Sequence, residues 1–171
     1  KASAMYDELD RAVQAADVDQ AGRVFADIKE RYPRTSYAQQ AGLLAAKLQF
    51  EKGQADAARG SLTWVADNAS EDEYRSIARV RLAGLLLDQK QYDDALKQLD
   101  EAKAPQFAAL VADRRGDVLL AQGKKDEAKA AYQSAWQAMD ATLEYRRLVE
   151  VKLTALGAAP EAPVPASGAA R

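Results

Sequence analysis

Apolar and small residues recur along this chain with the period of an amphipathic helix, and one version of the pattern occurs four times. Each copy has an alanine, a large apolar residue four positions later, and another apolar or small residue three positions after that. The first alanines stand 37, 37 and 33 residues apart, at Ala21, Ala58, Ala95 and Ala128. Spacings of this size are typical of stacked helix–turn–helix repeats.

Each copy is predicted to be the second helix (B) of an antiparallel hairpin that begins with a helix A. Helix axes approach to within roughly 8–10 Å where small side chains meet, and Ala46, Ala83 and Gly116 are the small residues expected on the A side. One hairpin cannot bury its own apolar stripe, so hairpins must stack. The predicted fold class is all-α: a solenoid of about four helical hairpins plus a C-terminal capping helix.

Polar and helix-ending residues set the predicted helix boundaries. Gly53 and Gly123 fall in A-to-B turns, where a left-handed backbone is favourable. Ser70 and Glu73 have the spacing of a capping box before the third A helix. The helices are expected near 3–16, 18–32, 36–52, 55–69, 71–89, 92–103, 106–122, 125–139 and 141–156.

Composition agrees with one helical domain and argues against several functions. A chain of 171 residues is one ordinary domain, predicted over 1–156, with an Ala/Pro-rich tail over 157–171 that is extended or disordered. Without His or Cys, the chain has no imidazole or thiolate for catalysis or zinc binding. A formal charge of −2 and the lack of a basic stripe argue against nucleic-acid binding. We therefore expect no catalytic residue, no cofactor and no metal.

The repeat positions resemble those of the tetratricopeptide repeat, with LAGLLLDQKQYDDALKQLDEA over 82–102 as a good match. More specifically, the chain resembles the YfgM-like family, the ancillary subunits of the Sec translocon. This second resemblance covers roughly 4–140. It depends on Tyr32–Pro33, on LTWVADNA over 62–69, and on FAALVADRRGDVLLAQGKKDEAKAAYQSA over 107–135.

The family resemblance implies a location and partners. It implies a periplasmic repeat domain at the bacterial inner membrane, preceded by a short cytoplasmic segment and one membrane-spanning helix that this chain lacks. The implied partners are the Sec translocon and a membrane-anchored periplasmic chaperone related to prolyl isomerases. The function expected is a non-catalytic protein–protein interaction module. Two alternatives stay open: a self-associating envelope or cytosolic scaffold, and an enzyme that uses paired carboxylates.

The A helices of stacked repeats line a concave face, and transferring the repeat's inner-face positions onto this sequence gives the candidate binding residues. An apolar surface with an acidic end would suit an extended or helical peptide with apolar anchors and basic flanks. The alternative is that neighbouring helices, or the capping helix and tail, cover these positions as ordinary core. The candidates are Tyr6, Leu43, Lys47, Phe50, Val80, Leu87, Asp113, Asp117 and Leu120.

Other conspicuous residues have simpler explanations than binding. Trp64 and Trp136 lie next to B-helix packing positions, so packing between repeats is favoured over a role as interface hot spots. Asp93–Asp94 falls in the first turn of a helix, where negative charge interacts favourably with the helix dipole. The charged residues of the last helix are interpreted as its solvated face: Glu144, Arg146, Arg147, Glu150 and Lys152.

Overall fold

The computed structural model describes residues 1–160, and the regular secondary structure in that range is entirely helical. The A helices are α1 (Ala2–Gln14), α3 (Ser36–Glu51), α5 (Asp72–Asp88) and α7 (Ala108–Ala121). The B helices are α2 (Val18–Arg31), α4 (Ala55–Asn68), α6 (Tyr92–Glu101) and α8 (Lys125–Ala138). A last helix, α9 (Glu144–Ala155), follows them. The predicted all-α fold of four hairpins and a final helix is confirmed, and residues 161–171 of the predicted tail lie outside the described range.

The chain divides into two compact units, unit 1 (Lys1–Phe107) and unit 2 (Ala108–Arg171). Unit 1 contains three hairpins, which stack because the B helix of one hairpin also packs on the A helix of the next. In unit 2, α7 and α8 form the hairpin and α9 packs on α8. That 1–156 acts as a single domain stays a prediction.

Small residues at the helix crossings are buried, as the repeat pattern predicts. The first alanine of each of the four B helices has no exposed surface. On the A helices, Ala46, Ala83 and Gly116 are buried as well. At Gly116 the approach is close, since a Cβ atom there would lie 2.5 Å from the ring of Tyr132. Packing of α7 on α8 therefore requires a residue without a side chain at 116.

One turn geometry ends every A helix and also ends α9. In each case the residue with positive φ donates its N–H to the carbonyl three residues back, and the next residue donates to the carbonyl five back. This pattern satisfies carbonyls that the helix end would otherwise leave free. The positive-φ residues are Ala16, Gly53, Lys90, Gly123 and Gly157. The predicted turns at Gly53 and Gly123 are confirmed, and α9 ends as if it were the A helix of a fifth hairpin.

The predicted capping box at the start of α5 is wrong. Glu71 is the N-cap residue, and its side chain makes no capping hydrogen bond. The Ser70 hydroxyl instead accepts a hydrogen bond from Gln39 Nε2 at 3.1 Å. Gln39 is 1% exposed, and a buried amide without a hydrogen-bond partner is costly. Ser70 therefore stabilises the structure by accepting this hydrogen bond from Gln39.

The two tryptophans pack between helices. Trp64 of α4 meets Phe25 of α2 edge to face, with ring centroids 5.7 Å apart, which confirms packing between hairpins. Trp136 of α8 packs with α9, where the Arg146 guanidinium lies 3.8 Å from its ring centroid. Arg146 Nε also donates to the Trp136 carbonyl oxygen at 3.0 Å. The prediction that Arg146 belongs to a solvated face is therefore wrong.

Within residues 1–160, no helix has both the length and the apolar composition that crossing a membrane requires.

Candidate protein-binding face

One side of α3 exposes large and charged side chains. Tyr37, Gln40, Leu43, Lys47 and Phe50 follow each other at spacings of three and four residues, which places them in one stripe along the helix. Phe50 is 51% exposed and Tyr37 is 41% exposed. Aromatic residues are enriched at protein-binding surfaces relative to the rest of the protein surface.

Neighbouring A helices of unit 1 border this stripe on both sides. The Tyr6 ring of α1 lies 5.9 Å from the Tyr37 ring, centroid to centroid. On the other side, Gln40 Nε2 donates a hydrogen bond to the Tyr74 hydroxyl of α5 at 2.8 Å. Three A helices therefore contribute to one surface, called here the A face of unit 1. Its residues are Tyr6, Tyr37, Gln40, Leu43, Lys47, Phe50, Tyr74 and Arg81.

The A face carries the neutral phenol of Tyr6 and cations that have no ionic partner among the described residues. Burial, and next the negative charge of Asp10, raises the pKa of Tyr6 above its ordinary value of 10, so its hydroxyl stays protonated at neutral pH. Lys47 is exposed and makes no hydrogen bond or ion pair with another described residue. This surface can therefore offer a partner aromatic contact, hydroxyl hydrogen bonds and positive charge.

On α5, the sequence prediction places the outward-facing row incorrectly. Val80 is 1% exposed and belongs to the core, so the prediction that it contacts a partner is wrong. The outward stripe runs instead from Tyr74 to Arg81, which is seven residues further along and exposed. Helix α5 packs against both α4 and α6, which leaves Val80 on a covered side. Leu43 and Leu87 are half-buried, and their role in binding stays a prediction.

In unit 2, the acidic pair predicted to face a partner is covered by α9. Asp113 has no exposed surface, and the Asp117 side chain is 19% exposed. Lys152 Nζ lies 2.9 Å from Asp113 Oδ1 and 3.0 Å from Asp117 Oδ1. Tyr145 donates to Asp113 at 2.5 Å, and Tyr132 donates to Asp117 at 2.6 Å. The predictions that these carboxylates meet a partner and that Lys152 is solvated are therefore both wrong.

The phenols of this cluster stay protonated. Burial, followed by the hydrogen bond to Asp117, raises the pKa of Tyr132 well above 10, and burial with the hydrogen bond to Asp113 does the same for Tyr145. Ionising either phenol would put a third negative charge beside two carboxylates. Because Lys152 already supplies the matching cation, the expectation of a ligand with basic flanks loses its basis. Leu120 of α7 is 37% exposed, and its role stays a prediction.

Sequence reasoning did not predict the contact of Tyr145 and Lys152 with the acids of α7, although the spacing of residues along α9 indicated it. Tyr145, Val149, Lys152 and Leu156 are spaced as one side of a helix, so a lysine lies within the stripe that packs inward. A lysine in that position needs a buried acid, and the acids were present in α7. Tyr37 and Arg81 gave no such signal, because single exposed aromatic or basic residues are common in helices.

Comparisons with known proteins agree on the fold and on a group of relatives. A family model described as a tetratricopeptide repeat-like domain matches residues 1–158. The chain is 33% identical over 155 residues to the "Ancillary SecYEG translocon subunit" of Neisseria gonorrhoeae, covering 91% of this chain and 74% of that protein. It is 30% identical over 123 residues to the protein of the same name in Escherichia coli, covering 72% of this chain and 59% of that protein.

Among solved structures, the crystal structure of MamA has a similar fold. The TM-score is 0.65 with 18% sequence identity, and the match covers 87% of this chain and 84% of that chain. Together with the family match, this confirms the fold class predicted from the repeat pattern.

Proposed function

This chain belongs to the tetratricopeptide repeat-like family that includes the ancillary SecYEG translocon subunits, and on that premise we propose that it is a non-catalytic protein-binding module of a Sec translocon complex. Stacked helical hairpins suit such a role because they present continuous side-chain surfaces to other polypeptides. The names of the relatives support the translocon as the complex concerned.

Exposure of Phe50 on the A face carries this proposal. About half of the residue is exposed to water, and complete burial of a phenylalanine side chain is worth about 1.5–3 kcal/mol. A partner that covers Phe50 would also cover its stripe neighbours Leu43 and Lys47. The A face of unit 1 is therefore the surface through which we propose that the module binds.

The proposed function also includes a cellular location and a second partner. We place the module on the periplasmic side of the inner membrane, held there by an N-terminal anchor that lies outside this chain. A membrane-anchored periplasmic chaperone related to prolyl isomerases is the proposed second partner. The resemblance of the sequence to the YfgM-like family supports both statements.

Site-specific photo-crosslinking tests the proposal directly. A photoreactive phenylalanine derivative is placed at Phe50 in the full chain, which is then added to membranes that contain the host's SecYEG complex. We expect an adduct with a translocon subunit or with the chaperone. The matched control carries the same group at Lys97, an exposed residue of α6. Equal adducts from both positions, or none from 50, would contradict the proposal.

One observation favours self-association as a second candidate function. Helix α9 exposes Leu148 at 48% and Val151 at 62%, three residues apart on one side of the helix. Two chains could bury these residues against each other in a symmetric contact. Light scattering across a range of concentrations tests this: a dimer that Val151→Glu dissociates would support the scaffold, and a monomer at every concentration would exclude it.

A further inference from the structure

Helix α9 is followed by the same left-handed turn as every A helix, but residues 158–160 after that turn form no helix. Gly116 stands seven residues before Gly123 and faces the B helix of its hairpin, α8. Glu150 stands seven residues before Gly157, so its side of α9 is the side that a B helix covers in the hairpins. We call this side the open side of α9; its residues are Leu143, Arg147, Leu148, Glu150, Val151 and Thr154.

Large apolar side chains are exposed on the open side. Leu143, the N-cap residue of α9, is 52% exposed, and Leu148 and Val151 are exposed to a similar extent or more. Val149 and Leu153, on the other side of the helix, have no exposed surface. Single exposed apolar residues are ordinary, whereas several on one side of a short helix mark a surface that another protein covers.

Two charged residues of the open side have no partner within the described molecule. Arg147 and Glu150 are exposed, and neither makes a hydrogen bond or ion pair with another residue of 1–160. Lys152, on the other side of the same helix, is bound to Asp113. The open side therefore presents a cation and an anion, three residues apart, that are both available to a binding partner.

The spacing of residues on the open side is symmetric. Positions 143, 147, 150 and 154 are separated by four, three and four residues, so the set has the same spacing read from either end. If a second α9 lies antiparallel to the first, with a twofold axis at the middle of this set, 143 lies opposite 154 and 147 lies opposite 150, each pair occurring twice. The two Leu148 side chains then lie at the same level beside the axis.

This antiparallel arrangement brings together groups that attract each other. Arg147 of each copy lies opposite Glu150 of the other, and Leu143 lies opposite the methyl group of Thr154. The second α9 also has the direction of the helix that α9 lacks, because a B helix runs antiparallel to its A helix. A carboxylate at the crossing position requires a cation opposite it, and a second copy of the chain supplies one.

We propose that unit 2 binds a second copy of this chain through the open side of α9, as an antiparallel helix pair with two Arg147–Glu150 ion pairs related by a twofold axis. This inference rests on self-association, the second candidate function, and adds the partner helix, its register and the charges that select it. It involves no residue of the A face of unit 1.

The contact is small, which sets its expected strength. Helix α9 has 12 residues and is about 18 Å long, so a pair of these helices buries less than the roughly 800 Å² per partner of a typical stable interface. We therefore expect a weak dimer that forms at high protein concentration. Its ion pairs are exposed at their edges, so sodium chloride should weaken it further.

Sedimentation equilibrium of the full chain tests the proposal. We expect a monomer–dimer equilibrium whose dissociation constant rises about tenfold in Arg147→Glu and in Glu150→Arg, since each variant places like charges opposite each other at both pairs. Lys97→Glu on α6 changes the net charge as Arg147→Glu does, and it should leave the constant unchanged. A dimer that neither reversal weakens would overturn the helix pairing and leave self-association intact.

A mixture of the two charge-reversal variants isolates the contact between chains. Equimolar Arg147→Glu and Glu150→Arg chains should form a mixed dimer about as tight as the native one, because opposite charges again face each other at both pairs. Within each variant, like charges remain three residues apart, so this recovery cannot come from a more stable α9. A mixture that associates no better than either variant alone would overturn the proposal.

Disulfide crosslinking locates the twofold axis. The chain has no cysteine, so Leu148→Cys introduces a single thiol. Two thiols beside the axis are close enough to form a disulfide, and mild oxidation should link the dimer covalently. Lys97→Cys, on the exposed surface of α6, is the matched control and should give little linked product. Equal crosslinking from both positions would contradict the proposed register.

The remaining outcomes separate this proposal from the proposed function. A monomer at every concentration up to about 1 mM would overturn the helix pair together with the second candidate function. It would leave translocon binding through the A face untouched, because the two surfaces share no residue. Dissociation of the dimer by a synthetic peptide of residues 161–171 would identify the chain's own C-terminal segment as the occupant of the open side and overturn the second copy.

Discussion

Side chains at equivalent positions of the A helices are exposed on α3 of unit 1 and covered on α7 of unit 2. On α3, Lys47 has no ionic partner among the described residues, and Phe50 is half exposed. On α7, Asp113 is fully buried, and Asp117 shares the ammonium group of Lys152 with it. In unit 2 the last helix provides the charged side chain that an external ligand would have provided. The difference shows that a helix position defines where a side chain points, whereas the next helix in the array decides what it meets.

Removing the buried carboxylate of unit 2 should have the largest effect. Asp113→Ala removes the acceptor of the Tyr145 hydroxyl and leaves Lys152 with Asp117 as its only carboxylate among the described residues, and loss of one member of a buried ion pair costs about 3–5 kcal/mol. Lys47→Ala in unit 1 should change stability by no more than about 0.5 kcal/mol. Guanidinium unfolding followed by Trp136 fluorescence in a Trp64→Phe background measures unit 2, and Trp64 fluorescence in a Trp136→Phe background measures unit 1. Similar costs for the two variants would refute the contrast.

The second-largest loss of stability should come from substituting the closely packed glycines, and the loss should be similar in the two units. A Cβ atom at Gly116 meets the Tyr132 ring, and one at Gly42 meets Val65 and Phe25. Gly116→Ala and Gly42→Ala should each destabilise by about 1–3 kcal/mol through overpacking.

Gly60 is the matched control for these substitutions. It lies in α4 with open space around it, so Gly60→Ala should stabilise the chain by up to about 1 kcal/mol through helix propensity alone. Thermal unfolding followed by circular dichroism compares the three variants. If all three move the midpoint in the same direction, packing at the crossings does not decide the outcome.

A smaller difference should appear at alkaline pH. Tyr132 and Tyr145 have pKa values raised above 10 in the folded state, so their contribution to stability is complete below pH 10. It is lost as pH rises from there towards the folded pKa, because the unfolded phenols ionise first. Tyr132→Phe should make the stability of unit 2 fall less steeply above pH 10. An unchanged slope in guanidinium unfolding midpoints between pH 9 and 11 would contradict this explanation.

The smallest effect on stability should come from the cation of unit 1. Arg81 has no described acidic partner to lose, so Arg81→Leu should be neutral or slightly stabilising, within about 0.5 kcal/mol. Arg79→Leu, two residues away, should cost more because it removes the ion pair with Glu101 and a hydrogen bond to Gln98. Urea unfolding distinguishes them, and equal losses would indicate that Arg81 has a structural partner.

Sequence alone predicts the hairpins well because their determinants are local and periodic. Helix ends at Arg31, Asn68 and Ala138 fall within one residue of expectation, since turn residues and apolar spacing act over short distances. Burial along the A helices was harder to predict. Val80 is covered and Arg81 exposed because of how α5 sits between α4 and α6, which no single helix encodes. Asp113 is buried because of a lysine 39 residues later.

The left-handed turn after α9 makes this end of the molecule a natural place for extension by design. Seven residues before the turn at Gly157 stands Glu150, where the second, third and fourth A helices have alanine or glycine. Five residues after it the sequence has Ala162, in register with the B-helix alanines, but Pro163 and Pro165 follow, and proline in a helix interior costs about 3 kcal/mol each. Exchanging the glutamate for alanine and rewriting the proline segment should therefore be sufficient to graft a further B helix and lengthen the array by half a period.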